Sequence, residues 1–209
     1  MVLENSRILI SGDARILVWE MSESSDDLLL QFEMPEILRA ELDKRKSEQR
    51  KREFLGTRLA LKALLGREVV VVYSDEGKPS LLDNSFQISI SHSKNWIAVM
   101  IHPQLEVGID IECPSPKIEK VYTRFLSEQE QQELYGEKEV GKLQIAWSAK
   151  EALFKLIGKE AVDFANHLRI LAFEIEDQGE LKALHLPFLH PYHLFYLQNP
   201  SYTLVYGMG

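Results

Sequence analysis

Residues 147–155 read WSAKEALFK, and how that stretch is taken decides the rest of the chain. As a helix it places Trp147, Glu151 and Lys155 at i, i+4 and i+8 on one stripe, while Phe154 and Ile157 fall toward a core. The helix extends from about Lys138 to Ile157, with Gly158 where a helix-ending glycine belongs. Working outward, VGIDIE (107–112) precedes it as a strand, CPSPK (113–117) breaks the chain, and helices are expected over Ile118–Arg124 and Ser127–Leu134. Ser127 and Glu130 form a capping box there. LRILAFEIE (168–176), ELKALHL (180–186), HLFYLQ (193–198) and YTLVYG (202–207) follow as four short strands.

The first half has a similar order. Residues 7–19 form two short strands, or one broken by Ser11-Gly12-Asp13. Pro35 to Leu65 reads as two helices, with Phe54, Leu55, Leu59, Leu61, Leu64 and Leu65 as the apolar side and Gly66 as the stop. VVVVY (69–73) is a strand, SDEGKP (74–79) a turn, and FQISIS (86–91) and WIAVMI (96–101) flank a loop HSKN. Helices in blocks and strands in hairpin-like groups predict an α+β fold. Each half runs from helix to several strands, so the domains are placed at 1–105 and 106–209.

The chain has 209 residues, a net charge of −8 and one cysteine, Cys113. A single cysteine excludes an intrachain disulfide and a thiolate metal cluster, and the acidic balance argues against general adhesion to nucleic acid. No run approaches a membrane helix and the first residues lack a signal core, so a cytoplasmic protein without membrane contact is expected. Arg39 to Arg52 nevertheless holds seven basic residues against three acidic ones. That run is either a solvated helix face or a patch for a small anion.

In VGIDIE, alternation sends Gly108, Asp110 and Glu112 to one face and Val107, Ile109 and Ile111 to the other. Two carboxylates on one face can converge on a hard cation, with Gly108 leaving room for a substrate; a half-exposed strand would carry the same pattern. Glu151 supplies a third carboxylate, or else half of an ordinary helix ion pair with Lys155. SISHSKNW (89–96) presents Ser91 and His92 as anion contacts, and no G-x-S-x-G elbow supports a serine hydrolase. GKP (77–79) fixes Lys78 in a tight turn and is no phosphate-cradling P-loop. His185, His190 and His193 do not make a zinc site, because Pro187 and Pro191 prevent the helix that would align them.

Taken in order, GKP, SISHS, VGIDIE and WSAKEALFK resemble the 4′-phosphopantetheinyl transferase superfamily, in its longer, surfactin-synthetase-type branch. The family commonly has F-N before the S-H pair, where this chain has Ile88 and Ser89. The resemblance implies two α+β halves related by pseudo-twofold symmetry, an active site in the cleft between them, and a monomer. It implies Mg2+ on Asp110, Glu112 and Glu151, coenzyme A as co-substrate, and an apo acyl or peptidyl carrier protein as partner. Lys155, with Lys150 or its neighbourhood, would contact the pyrophosphate; Lys78, Ser91 and His92 would hold coenzyme A phosphates; Arg52, helped by Arg39 or Arg45, would bind the 3′-phosphate. The catalytic set is then Glu151, Lys155 and His92, with Glu151 as general base directly, through a water, or replaced in that role by metal-bound water. Two other readings are a non-catalytic module that binds coenzyme A or a carrier, and a magnesium-dependent pyrophosphate hydrolase.

Overall fold

The computed structural model describes residues 3–136, 138–158 and 162–209. The chain divides into two units, Met1–Gln104 and Leu105–Gly209. In the first, β1 (Ser6–Ser11) and β2 (Ala14–Glu20) form a hairpin with Gly12 at φ +58° in its two-residue turn. Then come α1 (Ser25–Leu29), α2 (Pro35–Asp43), α3 (Glu48–Leu65), β3 (Val71–Tyr73), β4 (Pro79–Leu81), β5 (Gln87–Ser93) and β6 (Trp96–His102). The main sheet has the order β1-β2-β6-β5, and β3 pairs with β4 separately.

The second unit opens with β7 (Val107–Glu112), then α4 (Ile118–Val121), a 3-10 turn at Tyr122–Arg124, α5 (Glu128–Tyr135), α6 (Val140–Ile157) and α7 (Phe164–His167). It closes with β8 (Leu168–Ile170), β9 (Gln178–His185), β10 (His190–Gln198) and β11 (Thr203–Met208), in the sheet order β7-β11-β10-β9-β8. The strand ladders in both units are antiparallel among the described residues. This is the expected α+β fold, and it contains a repeat of connectivity. In each unit the strand before the helices, β2 or β7, pairs with the last strand, which pairs with the one before it. Each unit also carries one 18-residue helix that ends on a left-handed glycine, Gly66 (φ +74°) and Gly158 (φ +62°).

Each long helix covers one face of its own sheet. Around α3, Leu55, Leu59 and Leu64 pack on Leu17, Trp19, Ile97, Val99 and Ile101. Around α6, Leu143, Ala146, Ala149, Ala152, Leu153 and Leu156 pack on Leu181, Leu194, Tyr196 and Val205. Among the described residues no helix is long and apolar enough to cross a membrane.

Several expected elements differ. The short helix α1, capped by a Ser24/Asp27 box, was not foreseen. The strand expected at 69–73 is regular only from Val71, and β4 emerges from the following turn to pair with it. HSKN is not a four-residue loop: β5 runs through His92 and Ser93, and the hairpin turns at Lys94-Asn95 with Lys94 at φ +52°. Of 168–176 only Leu168–Ile170 is strand, with Leu171 N–H still bonded to Lys182 O at 2.9 Å. For the three strands, ladder pairing rather than residue preference decides where each one stops.

Candidate active site

The face of β7 that carries Gly108, Asp110 and Glu112 lies against α6, with the helix running antiparallel to the strand. Glu112 Oε1 receives Trp147 Nε1 at 3.4 Å and Glu112 O receives Gln144 Nε2 at 3.4 Å. Asp110 Oδ1 receives Lys155 Nζ at 2.9 Å, and the same ammonium donates to Ile109 O at 3.0 Å. Glu151 lies between these points on the helix, near enough to Asp110 and Glu112 that their charges act on it. Burial, then repulsion from Asp110, pushes the Glu151 carboxyl up to about 7; Lys155 opposes this and Glu112 adds to it.

Gly108 has a different reason from the one expected. A Cβ there would sit 2.0 Å from Ala152 O and 2.8 Å from Leu156 Cβ, so its bareness lets α6 approach β7 and leaves no room for substrate. That close approach brings the helix stripe onto the strand's carboxylates. Oxygen-only donors from three acids suit a hard divalent cation, and a cation would relieve the repulsion that raises Glu151. Among the described residues, no three His, Cys, Asp or Glu side chains are gathered into a metal-holding group, and Lys155 takes up Asp110 Oδ1 instead.

Lys150 corrects an expectation. It is fully buried, and its ammonium donates to Glu130 Oε2 (2.8 Å), Phe125 O (2.7 Å), Phe164 O (2.8 Å) and Leu168 O (2.7 Å), so it cannot reach a pyrophosphate. Glu130, also fully buried, caps α5 through Ser127 and accepts from Ile170 N–H at 2.9 Å. Burial pulls the Lys150 ammonium below its ordinary range, and Glu130 opposes that. The pair ties α5, α6, α7 and β8 together. Trp147 packs between Phe125 and Phe164, at 5.1 and 5.8 Å between ring centroids.

In the first unit, parts of the basic run, the GKP turn and His92 surround one cavity of about 360 Å³. Arg45, Lys46, Arg50, Glu53, Phe54, Thr57, Tyr73, Gly77, Pro79, Ile90 and His92 line it. Lys78 sits half-buried in the turn between two of them, and that turn is closed by Ser74 N–H to Lys78 O. The structure does not gather every expected residue there. Ser91 and His92 are consecutive on β5 and project to opposite sheet faces, Ser91 being buried and His92 exposed. Arg52 turns away to Met21 O and to Asn95 Oδ1, and Arg39 is exposed on α2; neither lines the cavity.

Sequence reading did not single out Glu53 or Phe54 as lining this cavity, nor Arg58 as packing on Phe54. The Phe54 ring lies between the Arg45 and Arg58 guanidiniums, 3.6 and 3.5 Å from its centroid. Burial lowers Arg58 to about 10, Tyr73 opposes this, and Arg45 reinforces it. The i, i+4 spacing of Phe54 and Arg58 was visible, but its cavity was not. Of the three histidines set aside as zinc ligands, His185 and His190 are ladder partners, and His185 packs on Phe188. His190 packs on Tyr192.

The family model of the 4′-phosphopantetheinyl transferase superfamily matches residues 106–204, the span that holds β7 and α6. A relative described as putative 4′-phosphopantetheinyl transferase slr0495, from Synechocystis sp. (strain ATCC 27184 / PCC 6803 / Kazusa), is 32% identical over 154 residues, covering 66% of this chain and 60% of that protein. The 4′-phosphopantetheinyl transferase psf-1 of Bacillus pumilus is 34% identical over 101 residues, covering 46% of this chain and 43% of the relative. The chain thus spans less than two thirds of either relative. The carboxylates of β7 and α6 lie inside the matched span, so it is the second unit, with the strand and helix that carry them, that is similar to the 4′-phosphopantetheinyl transferase superfamily.

Proposed function

We propose that this chain transfers the 4′-phosphopantetheine group from coenzyme A to a serine of an apo acyl or peptidyl carrier protein, releasing 3′,5′-ADP. We assign it to the surfactin-synthetase-type branch, working as a cytoplasmic monomer. The observation that carries the reading is that Asp110 and Glu112 of β7 act on Glu151 of α6, whose carboxyl is pushed up to about 7 by burial and by their charge. We assign Mg2+ to these three acids, where it would offset the negative charge of a pyrophosphate.

Lys155 places its ammonium on Asp110 and is 26% exposed, so it can also present charge to phosphoryl oxygens. The serine hydroxyl oxygen bonds to the phosphorus that bears pantetheine as the bond from that phosphorus to the bridging oxygen breaks. The bridging oxygen leaves on 3′,5′-ADP, and the serine proton goes to the Glu151 carboxylate, directly or through water. The cavity beside His92 is assigned to the nucleotide phosphates, with Arg45 and Lys78 contributing charge. Ser91 and Arg52 remain in the coenzyme set by family resemblance, and Arg39 as an accessory.

Mass spectrometry of an apo carrier protein incubated with this protein, coenzyme A and magnesium tests the reading. Addition of one phosphopantetheine arm supports transfer, and no gain on any of a panel of carriers sinks it. Coenzyme A consumed without a carrier would favour a hydrolase. Glu151→Gln should lower transfer by about a hundredfold or more with an unchanged circular dichroism spectrum; substantial residual transfer would remove Glu151 from the chemistry.

A further inference from the structure

The cationic cavity of the first unit contains one carboxylate that the transfer chemistry does not by itself require. Glu53, on α3, is 9% exposed and lines the cavity with Arg45, Lys46 and Arg50. Its Oε2 accepts from Arg50 Nη1 at 2.8 Å. Its Oε1 accepts from Gln49 Nε2 at 3.0 Å and lies 3.4 Å from His92 Nδ1. On charge alone, an acid here weakens the attraction for a phosphate. Its contacts suggest why it is there: one carboxylate holds a cation of its own helix with one oxygen and faces the imidazole of β5 with the other.

We propose that Glu53 is a positioning residue for coenzyme A, orienting His92 through Nδ1 and Arg50 through its guanidinium toward the phosphates in this cavity. A carboxylate only accepts, so it holds a proton on Nδ1, and in the imidazolium, which its charge favours, the second proton on Nε2 is the one donated to a phosphoryl oxygen. Arg50, 66% exposed at its side chain, loses much of its rotamer freedom to the same carboxylate before any ligand arrives. The inference rests on the function proposed above, and it adds a residue whose effect passes through His92 and Arg50.

Calorimetric titration of coenzyme A into wild type, Glu53→Gln, His92→Ala and the double variant, with thermal midpoints for all four, tests it. Glu53→Gln should raise Kd for coenzyme A about tenfold with little change in midpoint. In the His92→Ala background the same change should cost much less, because the partner it positions is gone. In a transfer assay KM for coenzyme A should rise while kcat is largely kept. If Glu53→Gln folds poorly, Glu53→Asp, which keeps the charge but withdraws it by one methylene, reads the same coupling. Wild-type affinity in the Glu53 variant, or a loss that adds in full to that of His92→Ala, overturns the positioning role. A wild-type protein that binds no coenzyme A overturns the functional reading, and with it this one, which is a distinct result.

Discussion

Lys150 and Glu151 are neighbours in sequence, yet the helix sends them to opposite environments. Lys150 is enclosed with Glu130 and three carbonyl oxygens, while Glu151 faces the strand acids. Both are charged groups in a helix interior, and only the partners around each side chain separate a structural knot from a reactive acid. Lys150→Met should therefore cost about 3–5 kcal/mol in urea unfolding, because it leaves Glu130 buried without its counter-charge. A loss below about 1 kcal/mol would show that water reaches the pair. His92 and Ser91 make the same point on a strand, where adjacency in sequence guarantees opposite faces.

Among the elements, the two long helices meet their sheets through bare positions of different kinds. On α3 the glycine is in the helix: a Cβ on Gly56 would meet Met21 Sδ at 2.4 Å, the far end of a flexible side chain. On the α6 side the glycine is in the strand, and a Cβ on Gly108 would meet Ala152 O at 2.0 Å, which is backbone and cannot step aside. Gly56→Ala should accordingly cost about 1 kcal/mol or less, since Met21 can repack and alanine favours the helix. Gly108→Ala should cost about 3 kcal/mol or more and should also weaken binding of a divalent cation, because α6 must lift away from Asp110 and Glu112. Equilibrium denaturation of both variants, with metal titration of the second, checks the contrast. Equal costs would mean that the close approach of α6 to β7 does not matter.

For the molecule as a whole, pH should act through Glu151. Its carboxyl stands at about 7 when folded against an ordinary 4.5, so folding takes up a proton between those values. Stability of the metal-free protein should therefore fall as pH rises from about 4.5 to about 7, and this slope should be reduced in Glu151→Gln. A divalent cation should stabilise the wild type more at pH 8 than at pH 5, because it takes the place of that proton. Thermal melts across this range, with and without magnesium, read both effects; a wild-type slope unchanged by Glu151→Gln would show that Glu151 ionises normally. The elements with strong local signals were legible from sequence: the helix through WSAKEALFK, the stop at Gly158, the Ser127–Glu130 box and the strand VGIDIE all depend on periodicity and capping within a few residues. The same alternation placed Asp110 and Glu112 on one face, and the order of motifs pointed to the superfamily. Which lysine is buried, why Gly108 is bare, where β5 ends and which basic residues line the cavity with Glu53 were not legible. Those facts depend on which side chains distant in sequence come within a few ångströms, and that is decided by strand pairing and by how closely each helix lies on its own sheet.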